Sequence, residues 1–366
     1  MKKLFVIILL YLISCNIMLW SQNQGNKIDS KPTILGISFD YGYILQHSEN
    51  LRELDNAFPV GIGLEWSKIL LTKNAWEFCN CLPRFGVEAA YWSWDNPDIL
   101  GSGLLVMGFV EPYFRTHKRM SFFFRAGLGG TYLSRPFDAE NNPQNLSYST
   151  SLSFAIMAGA GIDYRLTNKW SIGLLAKYNH TSNGGIKAPN KGINFPSVSF
   201  KINRSLHPIV FPDFQKVENR KPPDKLSRLS IVHFSGWSNA TVGDQDKFYV
   251  FGVAGYFSTW IGRRSAVSGG TEIIFDYSRR KQIRLDNTDN SFLQAAALVG
   301  HEFWLGKVTF SQHIGFYYYN DYRINDDIYQ RYGLTYNFSS HIFAGFNLKA
   351  HRHVADFFDF RIGFTF

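Results

Sequence analysis

Past its first 20 residues the chain has no apolar run of about 18 residues, so it offers no helix long enough to cross a membrane. Cysteine is scarce, with Cys15, Cys79 and Cys81 in 366 residues. The net charge of +9 is modest, and Lys and Arg never gather into runs, so nucleic-acid binding is not expected. Few stretches read as helix. Aromatic side chains, by contrast, are abundant: 33 Phe, 19 Tyr and 9 Trp make 17% of the chain, beside 31 Gly. Mean hydropathy is nevertheless slightly negative. A chain rich in aromatics and glycine, without apolar 20-mers, fits a transmembrane β-barrel better than a soluble enzyme.

The N-terminus supports export. Lys2 and Lys3 precede the apolar run LFVIILLYLI, which predicts a signal peptide over residues 1–22. Leu12-Ile13-Ser14-Cys15 offers a rival lipoprotein box, but apolar residues continue past it through Trp20. Cys79 and Cys81 form a C-x-C pair, read as a turn decoration or a local disulfide. The pair is too small to hold a metal by itself. No metal and no other cofactor are expected.

Strict alternation then dominates. Leu35, Ile37, Phe39, Tyr41 and Tyr43 alternate with small or polar residues, as do Val60, Ile62, Leu64 and Trp66. At the C-terminus Phe358, Phe360, Ile362, Phe364 and Phe366 do the same. An apolar face toward lipid and a polar face toward the lumen is the pattern of an all-β, antiparallel outer-membrane barrel. A closed barrel is also the only β-structure that pairs all its backbone groups in hydrocarbon. A terminal Phe resembles the assembly signal of bacterial outer-membrane proteins.

The pattern predicts about 16 strands, in two halves of about eight. Short connections near 115–120, 165–170, 262–266, 304–307 and 337–341 alternate with long polar ones near 47–58, 94–101, 136–148, 180–194 and 285–290. Short turns belong in the periplasm and long loops outside the cell. A Pro- and charge-rich break over 204–227 separates a half at 33–203 from a half at 228–366. GLLAKYNH (173–180) and FNLKAH (346–351) occupy corresponding places in the two halves. One wide barrel, or an eight-stranded barrel followed by a second β-unit, both fit.

The stretch KYNHTSNGGIKAPNKGIN (177–194) carries the chemistry. Trp170, Ile172, Leu174, Ala176 and Tyr178 form the lipid face of their strand, and continuing the count puts His180 and Ser182 on it. Counting back from Val198, Phe200 and Ile202 puts Asn194 there too. Polar groups aimed at lipid are costly and point to function. If the strand stopped at Tyr178, the same residues would be solvated loop. His351 falls on the lumen side, with His353 after it and no serine at the same spacing, and both read as structural.

With these residues in view, the stretch resembles the lipid A 3-O-deacylase family, barrel esterases of the Gram-negative outer membrane. The family motif is His-x-Ser-Asn, a short Gly/Ala segment, Pro-Asn-x-Gly-Ile and an acidic residue. His180, Ser182, Asn183, Pro189, Asn190, Gly192 and Ile193 match it in spacing. The Trp76–Cys81 and GINFP (192–196) features resemble longer chains of acyloxyacyl-hydrolase type. The resemblance implies that Ser182 is a nucleophile and His180 its base. The third catalytic position is Asn194, where the family has Glu. Backbone N–H groups around Asn183, Gly184 and Gly185, with the Asn183 side chain, would hold the oxyanion. Lipopolysaccharide is the expected partner, with Lys177, Lys187 or Lys191 near its phosphates, and a second copy of the chain is a further candidate partner. The competing readings are an outer-membrane phospholipase A, which would want calcium and a dimer, and a porin-like barrel with a decayed site.

Overall fold

The computed structural model describes residues 30–46, 57–217, 225–240, 246–352 and 354–366. The expected signal peptide, Cys15, most of the 47–58 loop and His353 lie outside these. Among the described residues sixteen antiparallel strands close into two separate barrels of eight. The first holds β1 (Thr33–Gly42), β2 (Val60–Ile69), β3 (Leu82–Ser93), β4 (Ser102–Phe114), β5 (Met120–Leu133), β6 (Leu152–Arg165), β7 (Trp170–Ser182) and β8 (Ile193–Ser205). The second holds β9 (Ser227–Ser238), β10 (Phe248–Gly262), β11 (Ser265–Asp276), β12 (Leu293–Leu305), β13 (Val308–Asn320), β14 (Ile328–Asn337), β15 (Ile342–His351) and β16 (Val354–Thr365). β1 pairs with β8 and β9 with β16, so neither sheet has an edge. This resolves the open choice: there is no single wide barrel.

Alternation sets the two faces. Ile37, Phe39, Leu64, Trp66, Leu174, Val198 and Phe200 are exposed on the outer wall, while Glu65, Glu88, Glu111, Arg125 and Lys201 are buried inside. The interior is an ion network. Arg125 reaches Glu111 at 2.6 Å, Glu88 at 2.8 Å and Glu65 at 2.8 Å. Lys201 lies 3.1 Å from Glu111. In the second barrel Arg331 pairs with Glu272 at 3.0 Å and Arg361 with Asp359 at 2.7 Å. Eight strands leave an interior just wide enough for such side chains, so the lumens are filled rather than open.

Lys177 belongs to that interior. It lies 2.8 Å from Asp40 and stands over the Trp92 ring. It is therefore no contact for lipid phosphates, because its strand parity turns it away from the bilayer.

Among the described residues two helices interrupt the strand pattern. α1 (Lys73–Cys79) starts at Thr72, whose side chain accepts from the Ala75 N–H, and ends at Asn80 in the left-handed region. A Cys79–Cys81 disulfide follows it directly. The segment after β8 returns to this helix, where Trp76 Nε1 donates to the Gln215 carbonyl at 2.8 Å. α2 (Tyr277–Leu285) is capped by Asp276, which accepts from the Ser278 N–H. His351 is buried and its Nδ1 lies 2.8 Å from Asp356.

Candidate active site

β7 does not stop at Tyr178. It runs through Ser182, and the alternation of faces persists to its end. His180 and Ser182 therefore point outward, half-buried, on the same wall as Leu174 and Tyr178. β8 begins at Ile193, and Asn194 is the direct register partner of His180.

Inward neighbours fix these outward side chains. Asn179 is buried and donates to the Phe195 carbonyl at 3.0 Å and to Ser197 Oγ at 2.9 Å. Phe195 packs edge-on against Trp92 and Trp94, with ring centroids 5.0 and 5.2 Å apart. Each polar group on the wall is thus flanked by a residue locked into the lumen, and its strand cannot rotate.

The three side chains form one line. His180 Nε2 lies 2.9 Å from Ser182 Oγ, and His180 Nδ1 lies 2.6 Å from Asn194 Oδ1. With Oδ1 as acceptor, Nδ1 carries the proton and Nε2 presents a lone pair to the serine hydroxyl. This is the tautomer that a general base requires.

Gly192 completes the arrangement. Its φ is +77°, and a Cβ there would lie 2.8 Å from His180 Cε1. The glycine in Pro-Asn-x-Gly-Ile thus has a physical cause: any side chain would collide with the imidazole.

The connecting loop is built around Asn183. Its Oδ1 accepts from the N–H groups of Gly185 and Ile186, both at 3.1 Å. Its Nδ2 donates to the Lys187 carbonyl at 2.7 Å and to Ser149 Oγ at 3.2 Å. Its own N–H donates to Asn190 Oδ1 at 2.9 Å. Both amide protons of the side chain are therefore taken, and Asn183 fixes the loop rather than pointing a donor at a substrate. Of the three residues expected around the oxyanion, Gly184 alone has an N–H without a hydrogen bond among the described residues. Asn190 and Ser149 are members of the loop framework that strand parity did not single out, although Asn190 lies in the sequence motif.

The neighbouring loop clamps this one. Lys191 N–H donates to the Leu146 carbonyl at 3.1 Å and Gly192 N–H to the Ser147 carbonyl at 2.7 Å. Tyr148 donates its hydroxyl to the Leu100 carbonyl at 2.6 Å, and burial pushes its pKa up to about 12.

Residues 59–203 match the family model for lipid A 3-O-deacylase (PagL), and residues 227–366 match that for the acyloxyacyl hydrolase C-terminal domain. The chain belongs to the lipid A 3-O-deacylase family. Among curated relatives, it is 27% identical over 174 residues to the lipid A deacylase PagL of Bordetella bronchiseptica, covering 47% of this chain and 84% of that protein. Among solved structures it is similar to the outer membrane enzyme PagL, at 24% identity and TM-score 0.34, over 45% of this chain and 97% of that one. It is also similar to Neisserial surface protein A, at 11% identity and TM-score 0.30, over 49% of this chain and 98% of that one. Membership places the protein in the outer membrane and makes it an ester hydrolase.

Proposed function

We propose that the protein removes an ester-linked acyl chain from lipid A of lipopolysaccharide, with Ser182 as nucleophile, His180 as general base and Asn194 as the group that orients the imidazole. The observation that carries this reading is the hydrogen-bonded line Ser182–His180–Asn194 on a lipid-facing wall. A lipid ester reaches that wall without leaving the bilayer. The long loops at the same end of the barrel support an extracellular position for it, where lipopolysaccharide fills the outer leaflet.

In this reading Ser182 Oγ attacks the ester carbonyl carbon as His180 Nε2 takes its proton. The carbonyl electron pair moves to oxygen, and the Gly184 N–H receives the oxyanion. The C–O bond to the sugar then breaks, and the sugar oxygen takes the proton from His180. Water, deprotonated by His180, attacks the acyl-serine and releases a fatty acid. Asn194 keeps the proton on Nδ1 throughout. Being neutral, it does not stabilise the imidazolium by charge. Lys187 and Lys191, in the loop beyond Ser182, are suited to lipid phosphates. We assign this chemistry to residues 33–203, with 204–227 as linker, 228–366 as the C-terminal half and 1–22 removed as signal. A second copy of the chain is a further expectation that cross-linking in intact membranes tests.

The test is mass spectrometry of lipid A and phospholipids from Gram-negative cells expressing the chain. Lipid A is expected to lose one acyl chain while phospholipids stay intact. Ser182→Ala and His180→Ala should lower the rate by roughly 10³-fold or more. Identical lipid A acylation with the parent chain and both variants would sink the reading.

A further inference from the structure

The second barrel lies against the loop that follows Ser182. Gly185 has φ +82°, and a Cβ on it would lie 3.2 Å from the Asp356 carbonyl oxygen and 3.4 Å from that of Ala355. A Cβ on Gly184 would lie 4.0 Å from Phe358 Cβ. The paired glycines allow β16 to come this close.

The contact continues along the outer wall. Phe154 of β6 is the register partner of Ser182 and points outward beside it. Its ring stacks on Phe358 of β16, with centroids 5.3 Å apart. Phe358 meets Phe346 of β15 at 5.6 Å, and Phe346 meets Phe360 at 5.7 Å. Phe346 and Phe360 are themselves register partners, about half exposed on the outer wall of the second barrel.

Below Ser182 the outer wall of the first barrel is apolar: Ile156 pairs with His180, Ala158 with Tyr178 and Ala160 with Ala176, and all of these but His180 are exposed. This strip descends from Ser182 for about six residues, or roughly 20 Å along the strand. β16 runs from Asp356, beside Gly185, to Phe358, beside Phe154. One side of the trough is thus made of Ile156, Tyr178 and the alanines, and the other of phenyl rings from the second barrel.

We propose that the second barrel forms one wall of the groove that receives the acyl chain of the ester, and that Phe358 and Phe346 set the chain length it accepts. This rests on the esterase reading above. The occupant is an acyl chain, because the trough is apolar, opens to lipid and starts beside Ser182. These residues act by shape and by desolvation of the chain. They touch substrate away from the reacting atoms, so they should affect long chains and spare short ones.

The experiment uses the full chain, reconstituted in lipid vesicles, with p-nitrophenyl esters from butanoate to hexadecanoate as probes. Phe358→Ala and Phe346→Ala should raise KM for hexadecanoate about tenfold, while kcat/KM for butanoate stays within about twofold. Phe358→Trp should move the preferred length toward shorter chains. Heat-modifiable migration on gels checks that each variant is folded, and should Phe358→Ala fail it, the more exposed Phe346→Ala reads the same wall. Identical chain-length profiles in the parent chain and the folded variants, with Ser182→Ala inactive, would overturn the second-barrel wall and leave the esterase standing. A parent chain no more active than Ser182→Ala on any ester would overturn both.

Discussion

His180 and Asn194 face each other across β7 and β8 as register partners, with Nδ1 and Oδ1 2.6 Å apart. The amide oxygen does what a carboxylate would do for geometry, since it accepts the Nδ1 proton and leaves Nε2 for Ser182. It does not supply the charge that would stabilise the imidazolium of the proposed attack.

Asn194 substitutions separate those two contributions. Asn194→Ala removes the acceptor and should lower kcat about 10–100-fold with little change in KM. Asn194→Asp keeps the shape and adds a negative charge beside the ring. A neighbouring anion favours protonated histidine. The acidic limb of the pH–rate profile should therefore move to higher pH, and the plateau above it should rise several-fold because the imidazolium is stabilised there. Asn194→Glu adds the same charge on a longer side chain and tests whether the family's acid fits. A pH–rate profile for each variant decides the matter. Equal rates for Asn194→Ala and the parent would remove Asn194 from the site.

Gly192→Ala tests the fit of the loop against the histidine. The added methyl would stand 2.8 Å from His180 Cε1, on a backbone with φ +77°. The left-handed conformation alone costs about 1–2 kcal/mol with a Cβ present. Gly306 provides the control, with φ +71° and nothing within 4 Å of an added Cβ. Gly306→Ala carries only the backbone cost and should leave activity unchanged. Gly192→Ala should lower kcat by about 10²-fold, because displacement of the base by a fraction of an ångström misaligns the proton transfer.

Much of this was legible in the sequence because a barrel wall has a period of two. Leu35 through Tyr43 and Phe358 through Phe366 alternate without a break, and the same count carried His180, Ser182 and Asn194 to the lipid face. The limits have physical causes too. Barrel closure depends on the pairing of β1 with β8, which no local pattern records. α1 and α2 are short, each with a capped start, and lack the length for a clear helical period. Lys177 illustrates a different limit: charge suggested phosphate, while its odd position on β7 put it inside beside Asp40. Asn183 looked like a donor to substrate, but only the folded loop reveals that both its amide protons are engaged.

Asn183→Ala should loosen the loop that carries the proposed oxyanion donor. The change removes two acceptor contacts and two donor contacts from a fully buried side chain. A rate loss of about 10–100-fold is expected, together with faster tryptic cleavage after Lys187 or Lys191 in detergent. Asn183→Asp keeps the bonds to Gly185 and Ile186 and loses those to Ser149 and Lys187, so it should fall between. Unchanged proteolysis in both variants would show that the loop is held by its neighbours instead.

Arg125 anchors the first barrel from within. Its guanidinium touches Glu65, Glu88 and Glu111, and every one of these side chains is almost fully buried. Arg125→Met removes the shared cation and leaves three carboxylates around an apolar side chain, with Lys201 and Arg84 as the remaining cations near Glu65 and Glu111. Breaking a buried pair in this way costs about 3–5 kcal/mol. Lys73 and Glu77 form an exposed i,i+4 pair at 3.7 Å, and Lys73→Met should cost less than about 0.5 kcal/mol. Denaturant unfolding of the two variants in lipid vesicles measures the difference. The Arg125→Met defect should appear in the barrel that carries Ser182, so activity and the stability of β1–β8 should fall together. A variant as stable as the parent would mean that the lumen tolerates the loss by taking up protons on its glutamates, and its stability would then drop as the pH is raised.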